Sequence, residues 1–472
     1  MATKLVYGIK DRPQFSKLIV FALQQLLAIM AATITVPMIV GNGMSTSAAL
    51  FGAGVGTLVY QLFTKFRSPV FLGSSFAFIG PMQAAFSSAY GFVTLGYLGL
   101  VIGAVCAALV YVLLAVVVKS AGIKWINKVM PAVVIGPTVA LIGLSLAGAA
   151  INDVFSYGNK VSFGLSSYFE MTPSTWVSVA CAMVTFAVVV LCSVYGKKMA
   201  KLIPFILGIA AGYVVALILT LIGIATETAA LQVIDFAPFK ALVADGITLS
   251  TFLSVPDFTF LEAAKGIEHF KWDYAVSVAI AFIPIAFVVF AEHLADHKNL
   301  SSIIGHDLIE EPGLHRTLLG DGVGSVAGSI FGGCPNTTYG ESVGCVAITG
   351  NASVITITVT AFIAMAISFI APFVAFLDSI PGCIMGGVCI TLYGFIAVSG
   401  LKMIQKVDLE DNANLFTVAA ILIPGIGGMA MSIKETVYIT PIACALILGI
   451  ITNVVLTKFK KNKKKDAEES EE

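Results

Sequence analysis

The chain has 472 residues, 58% of them hydrophobic and only 11% charged, with a mean hydropathy of +0.96, where an ordinary soluble domain is about 25% charged. That excludes a soluble globular protein and leaves a polytopic membrane protein. Lys+Arg and Asp+Glu both number 27, so no net positive charge is available to hold nucleic-acid phosphates, and no nucleic-acid partner is expected.

Cutting the chain where charges, Pro and Gly interrupt the apolar runs, at about 20 residues per crossing, predicts about 14 transmembrane segments. They are 18–40, 46–65, 69–88, 95–118, 130–151, 174–194, 201–224, 274–297, 315–333, 335–350, 353–375, 380–400, 413–431 and 436–457. The first follows Lys4, Lys10, Arg12 and Lys17, and is too long for a signal-peptide core, so it reads as a retained span. The third and tenth are short and broken. Between the seventh and eighth, Thr226 to Lys271 mixes Pro238, Pro256, Asp235, Asp245, Asp257, Glu262 and Glu268 with apolar residues, which is too polar to cross and reads as an external loop with short interfacial pieces. Lys and Arg collect in cytoplasmic loops. With the N-terminus inside, the cytoplasmic set is the four N-terminal residues, Lys65, Arg67, Lys119, Lys124, Lys128, Lys197, Lys198, Lys201, Lys298, Arg316, Lys402, Lys406 and the basic run after residue 457. Only Lys160, Lys240, Lys265, Lys271 and Lys434 remain outside. An even number of spans with both termini cytoplasmic follows, and the tail 458–472 is a solvated end.

The two broken segments resemble each other. Gly73-Ser74-Ser75-Phe76-Ala77-Phe78 aligns with Asn336-Thr337-Thr338-Tyr339-Gly340-Glu341, hydroxyl on hydroxyl and aromatic on aromatic, with Phe78 opposite Glu341. Interrupted segments in corresponding halves are the best pointer in sequence to a transporter site. Seven spans separate them, an odd number, so the internal repeat is inverted. Non-helical backbone at membrane depth needs protein or a water-filled cavity to satisfy it, and two breaks imply a cavity between them.

Acids inside spans are costly and default to function. Four qualify: Glu292, Asp296, Asp321 and Glu341. Glu292 and Asp296 lie one turn apart on one helix face, and Glu341 opens a half-helix whose positive end favours a carboxylate. Carboxylates hold a planar ligand with N–H donors and carbonyl acceptors only if one carries a proton to donate, and two at close quarters favour keeping one. Substrate and proton binding are then coupled. Asp321, between glycines, can equally serve as a local hydrogen-bonding group. His293 reads as a packed, hydrogen-bonded histidine, and His297, His306 and His315 as solvated at the cytoplasmic edge. The glycine clusters at 52–56 and 320–324 lack a nucleotide motif and read as close helix packing. The eight cysteines have no CxxC spacing and read as small packing residues. A rival reading takes His293-Leu294-Ala295-Asp296-His297 as a variant of the H-x-x-E-H zinc pattern in an intramembrane metalloenzyme, but Asp replaces Glu and no third ligand is evident. Neither a metal nor another cofactor is expected, and the chain is not read as an enzyme.

At these same residues the sequence resembles the nucleobase/ascorbate transporter family, on the side of its bacterial uracil permeases. The matching stretches are Leu72 to Ile79, Pro335 to Glu341, Ala291-Glu292-His293, Glu311 to Arg316, and Met385-Gly386-Gly387-Val388 leading to Leu392-Tyr393-Gly394. The resemblance implies two inverted repeats of seven spans, with short strands in spans three and ten. It implies a core domain (1–119 and 274–378), a gate domain (120–225 and 379–457), an external loop (226–273) and a homodimer. It also implies that Glu292 and Glu341 hydrogen-bond a pyrimidine, that the backbone N–H groups of Phe76 and Gly340 meet its carbonyls, and that Ala32, Tyr339 and Tyr393 line the pocket. Some relatives carry His where Asp296 stands, and many carry Gln-His where this chain has Gln24-Gln25, so coupling here must rest on carboxylates, Asp296 and Glu292. The reading is a uracil:proton symporter of the cytoplasmic membrane working by alternating access. A purine (xanthine) or broader pyrimidine permease is the alternative within the family.

Overall fold

The computed structural model describes residues 5–122, 130–163, 166–197, 199–244, 246–434 and 437–471. Lys4, Lys124, Lys128 and Lys198 of the basic set, and Asp245, lie outside them. In chain order the first half holds α1 (Phe15–Val40), α2 (Thr46–Phe63), β1 (Leu72–Ser74), α3 (Ile79–Ser87), α4 (Val93–Ala121), α5 (Ala132–Ser145), α6 (Ala147–Val154), the strands β2 (Lys160–Phe163) and β3 (Ser166–Phe169), α7 (Pro173–Tyr195) and α8 (Pro204–Ala225). The second half holds α9 (Thr259–Gly266), α10 (Trp272–Ile304), α11 (Leu314–Gly332), β4 (Asn336–Thr338), α12 (Gly340–Thr349), α13 (Val354–Ile367), α14 (Ala371–Asp378), α15 (Gly382–Ile404), α16 (Asn412–Ile426), β5 (Met431–Lys434), β6 (Val437–Ile439) and α17 (Pro441–Glu471). Among the described residues, nine helices are long and apolar enough to cross a membrane.

Local chemistry sets the helix ends. Ser45 accepts from the Ala48 N–H at 3.2 Å and Thr172 from the Thr175 N–H at 3.1 Å, satisfying donors that open a helix. Pro173 occupies the first turn of α7, where its missing N–H costs nothing. At the other end of α10, Gly305 takes the left-handed conformation (φ 68°) that stops the helix.

The helices pack as two groups. In one, α11 lies against α2 and α4, α10 and α9 against α4, and α13 against α1 and α2; in the other, α15 lies against α5, α6 and α7, with α7 on α8 and α16 on α5 and α17. Glycines explain the close crossing of α2 and α11: a Cβ on Gly56 would stand 2.7 Å from the Gly324 carbonyl oxygen, and one on Gly332 2.6 Å from that of Ala48. These glycines serve backbone-to-backbone approach, as the sequence suggested. Gly386 does the same for α15, where a Cβ would meet the Val154 nitrogen at 2.6 Å.

Several expectations need correction. The segments 413–431 and 436–457 run too far toward each other: α16 stops at Ile426, and β5 and β6 pair antiparallel before α17 begins at Pro441. A second antiparallel pair, β2 (160–163) with β3 (166–169), forms where no element was expected. The crossing at 353–375 is two helices, α13 and α14, broken at Ser368–Ile370. The described residues of 226–271 form short helical pieces, of which α9 packs along α4.

Candidate functional site

The two broken segments meet. β1 and β4 pair antiparallel, Leu72 with Thr338, Gly73 with Thr337 and Ser74 with Asn336. The ladder continues one residue at each end, Ser75 N–H donating to Pro335 O at 2.9 Å and Tyr339 N–H to Phe71 O at 3.2 Å. Each strand satisfies the other's backbone, which removes the cost of leaving the helical fold inside an apolar interior. Beyond Ser74 the chain turns through Phe76–Phe78 into α3, and beyond Thr338 it turns into α12. Neither Ser75 nor Tyr339 uses its side chain to cap the helical turn that follows it; past Ser75, the Phe78 and Ile79 N–H groups donate to Ser75 O and Phe76 O.

A cavity of about 400 Å³ lies at this meeting point. The head of α12 (Tyr339, Gly340, Glu341) forms one wall and α10, with Glu292 and Asp296, another. Phe76 closes a third side, and α15 supplies an apolar face through Leu392, Phe395 and Met403. The spacing of Glu292 and Asp296 does what the sequence required of it: both side chains face the same space. Asp296 accepts a hydrogen bond from the Thr338 hydroxyl at 2.9 Å, and Tyr339 donates its own hydroxyl to Ser74 O at 2.8 Å, so strand residues hold both walls in place. Next to Glu341, Ser342 accepts from the Phe71 N–H at 2.9 Å and also touches Gln25 Nε2, fixing the head of α12 to α1 and to the approach to β1.

Two expected residues stand behind the wall. Ala32 is buried with Leu26, Ile29 and Tyr339; the α1 residue on the cavity is Ala28, one turn earlier. Tyr393 packs its ring edge-on against Phe76, centroids 6.0 Å apart, and its neighbour Leu392 meets the cavity. Lys201 and Ser399 also line it and had not been singled out, because Lys201 belongs to the run Lys197-Lys198-Lys201 that reads as a loop charge.

His293, His297 and Asp321 form a separate, fully packed cluster on the adjacent face of α10, one residue round from the two acids. His293 Nδ1 is 2.8 Å from Asp321 Oδ2 and its Nε2 is 3.0 Å from the Thr317 hydroxyl. His297 corrects an expectation: it is buried rather than solvated. Its Nδ1–H donates to the His293 carbonyl at 2.8 Å and its Nε2 meets the Tyr60 hydroxyl at 2.7 Å, which also bonds Ser68 at 2.7 Å. With both nitrogens of each ring engaged by protein groups, the two histidines do not converge on a shared metal position, and among the described residues no group of three His, Cys, Asp or Glu is arranged to hold one. His306 and His315 are partly exposed. The motif from Glu311 to Arg316 is not on the cavity; Glu311 pairs with Arg67.

Known proteins place the chain in a family. A family model described as a permease family matches residues 16–434. The chain is 37% identical to a uracil permease of Bacillus caldolyticus, over 96% of this chain and 95% of the relative. It is 35% identical to a uracil permease of Bacillus subtilis (99% and 98% covered) and 32% identical to one of Escherichia coli K12 (95% and 93%). Among solved structures it shares its fold with the transmembrane domain of the cyanobacterial bicarbonate transporter BicA (TM-score 0.55, 13% identity, 95% of this chain and 100% of that one). It also shares it with SLC26A9 (TM-score 0.61, 12% identity, 95% and 66%). Matched by the family model over most of its length, and by relatives a third identical from end to end, the chain belongs to this permease family and is a multi-pass membrane transporter, not an enzyme.

Proposed function

We propose that this permease carries uracil into the cell together with protons. The observation that carries the reading is that Glu292 and Glu341, from two helices, face one cavity beside the uncapped heads of two half-helices. Uracil presents two N–H donors and two carbonyl acceptors in one plane. The carboxylates accept from its ring N–H groups, and the N–H groups of Phe76 and Gly340 donate to its carbonyls. A proton on one carboxyl turns it into a further donor, so that substrate and proton bind as a unit. Asp296, tied to Thr338, is the second carboxyl able to take part in coupling. Tyr339 shapes the pocket directly, while Ala32 and Tyr393 support it from behind.

In this reading the first helix group, residues 1–119 and 274–378, is a core that moves against a gate, 120–225 and 379–457, exposing the cavity to each side of the cytoplasmic membrane in turn. Fourteen spans in two inverted repeats fit the antiparallel register of β1 and β4, since a two-fold axis in the membrane plane sets equivalent strands antiparallel. Both termini are cytoplasmic, and two copies pair through the gate. The uracil names of the relatives favour a pyrimidine over a purine. The test is uptake of labelled uracil by purified protein in liposomes with an imposed pH gradient. Uptake should collapse when a protonophore is added, and tenfold excess xanthine should not compete. Uptake indifferent to the gradient would remove the proton, and efficient competition by xanthine would move the substrate to purines.

A further inference from the structure

Helix α12 carries Glu341 at its head and has only ten residues. At 1.5 Å per residue it is about 15 Å long, half of a hydrocarbon core of roughly 30 Å. Its far end therefore needs a holder other than its own length. That end is Gly350, left-handed at φ 66°, and the partner is the segment that precedes α1. The N–H groups of Val6 and Tyr7 both donate to Gly350 O, at 2.7 and 3.2 Å. Ala352 N–H donates to Tyr7 O at 2.9 Å and Val354 N–H to Ile9 O at 3.1 Å, while the Ser353 hydroxyl donates to Asp11 O at 2.5 Å. Leu5 and Ile9 pack against a buried cluster that includes Val343 and Val346 of α12, Tyr60 and Ile304. The Tyr7 ring meets Phe21 of α1 edge-on at 5.9 Å. The other half-helix ends under a similar cover: after α3, Phe92 stacks on His269 at 3.7 Å and Tyr90 lies 4.6 Å below Lys271 Nζ, both from the segment that precedes α10. None of the residues 5–11 lines the cavity.

We propose that residues 5–11 are a positioning strap for the site: by fixing the far end of α12 they set the depth at which Glu341 stands in the cavity, and with it the affinity for uracil. The proposal rests on the uracil reading above, so its test has a second readout that needs no substrate. Cys345, one turn beyond Glu341, lines the cavity, and its alkylation by N-ethylmaleimide in a full-length chain whose other cysteines are alanine reports the placement of α12 directly. Tyr7→Pro removes one of the two N–H donors to Gly350 together with the ring against Phe21; Tyr7→Phe keeps the backbone and the ring. Tyr7→Pro should weaken uracil binding tenfold or more and raise the Cys345 alkylation rate at least threefold, and Tyr7→Phe should do neither. Where Tyr7→Pro does not fold, Ser353→Ala, which removes only the hydroxyl bond to Asp11, is measured in the same way and should shift both readouts in the same direction. Unchanged Cys345 alkylation overturns the strap whatever happens to uracil affinity, because the helix has then not moved. If the unaltered protein binds no uracil, the substrate reading falls, and the Cys345 rate alone decides the strap.

Discussion

The segments Leu72–Ser87 and Asn336–Thr349 follow the same path, a three-residue strand, a break and a half-helix, yet they do different work. In the first, Phe78 is fully buried and stacks on Phe282 with centroids 5.5 Å apart. Its counterpart Glu341 faces the cavity. Ser75 is buried with no partner for its hydroxyl among the described residues, whereas its counterpart Thr338 holds Asp296. Phe76 faces the cavity, while Tyr339 also reaches back to bond the other strand. The backbone arrangement is shared, and the titratable chemistry is confined to one copy. The two segments supply two half-helix heads that differ in a few side chains, and in the proposed function the second brings a carboxylate to uracil where the first brings only backbone N–H.

The hardest test of that division is Glu341→Gln. An amide cannot carry or release the coupled proton and presents one acceptor where the carboxylate presented two, so concentrative uracil uptake in liposomes should fall to background. Uptake near the unaltered level would mean that both half-helices are structural and that the site lies elsewhere. The matching change on the other side, Phe78→Ala, should cost about 3–5 kcal/mol of stability, as for other buried aromatics. It is read as a lower melting temperature in detergent, while protein that remains folded keeps its uracil affinity within about threefold, a difference of less than 1 kcal/mol. Affinity lost in proportion to stability would show that Phe78 shapes the site as well as the core.

Much of this division was legible in the sequence because it rests on local signals. Glu292 and Asp296 stand one turn apart on a single helix, and two hydroxyl–hydroxyl–aromatic strings sit beside helix-breaking residues. Each can be read without knowing the fold. His297 was misread because its partners, Tyr60 and Ser68, come from α2 and the stretch after it, more than 200 residues earlier, and no periodicity on α10 announces them. Ala32 was placed one turn too deep, since which residue of an apolar helix reaches a cavity depends on how α1 packs against α13 and α15. The paired strands β5 and β6 read as parts of neighbouring spans although Gly427-Gly428 marks the stop, with Gly428 at φ 71°; apolar strands and helix ends look alike in hydropathy alone.

A smaller effect separates the two hydroxyl positions nearest the breaks. Thr338→Val keeps the shape and removes the bond to Asp296. A hydrogen bond of this kind is worth about 1 kcal/mol net, so uracil affinity should weaken by about fivefold, measured by calorimetry, with the fold unaffected. No change would mean that Asp296 needs no help to hold its place, and would weaken its proposed part in coupling.

Ser75→Ala should do least of all. The hydroxyl is buried and bonds nothing among the described residues, and the Ser75 backbone N–H that closes the ladder onto Pro335 O is untouched by the substitution. Removing a hydroxyl that has lost its water and gained no partner is neutral or slightly stabilising, within about 0.5 kcal/mol in melting experiments. Uracil uptake should stay within about twofold, which is less than 0.5 kcal/mol. A large loss of uptake with stability unchanged would be the informative failure. It would mean that the hydroxyl finds its partner in the substrate, that the first segment contributes a side chain to binding as well as backbone N–H groups, and that both segments bring side-chain chemistry to the site.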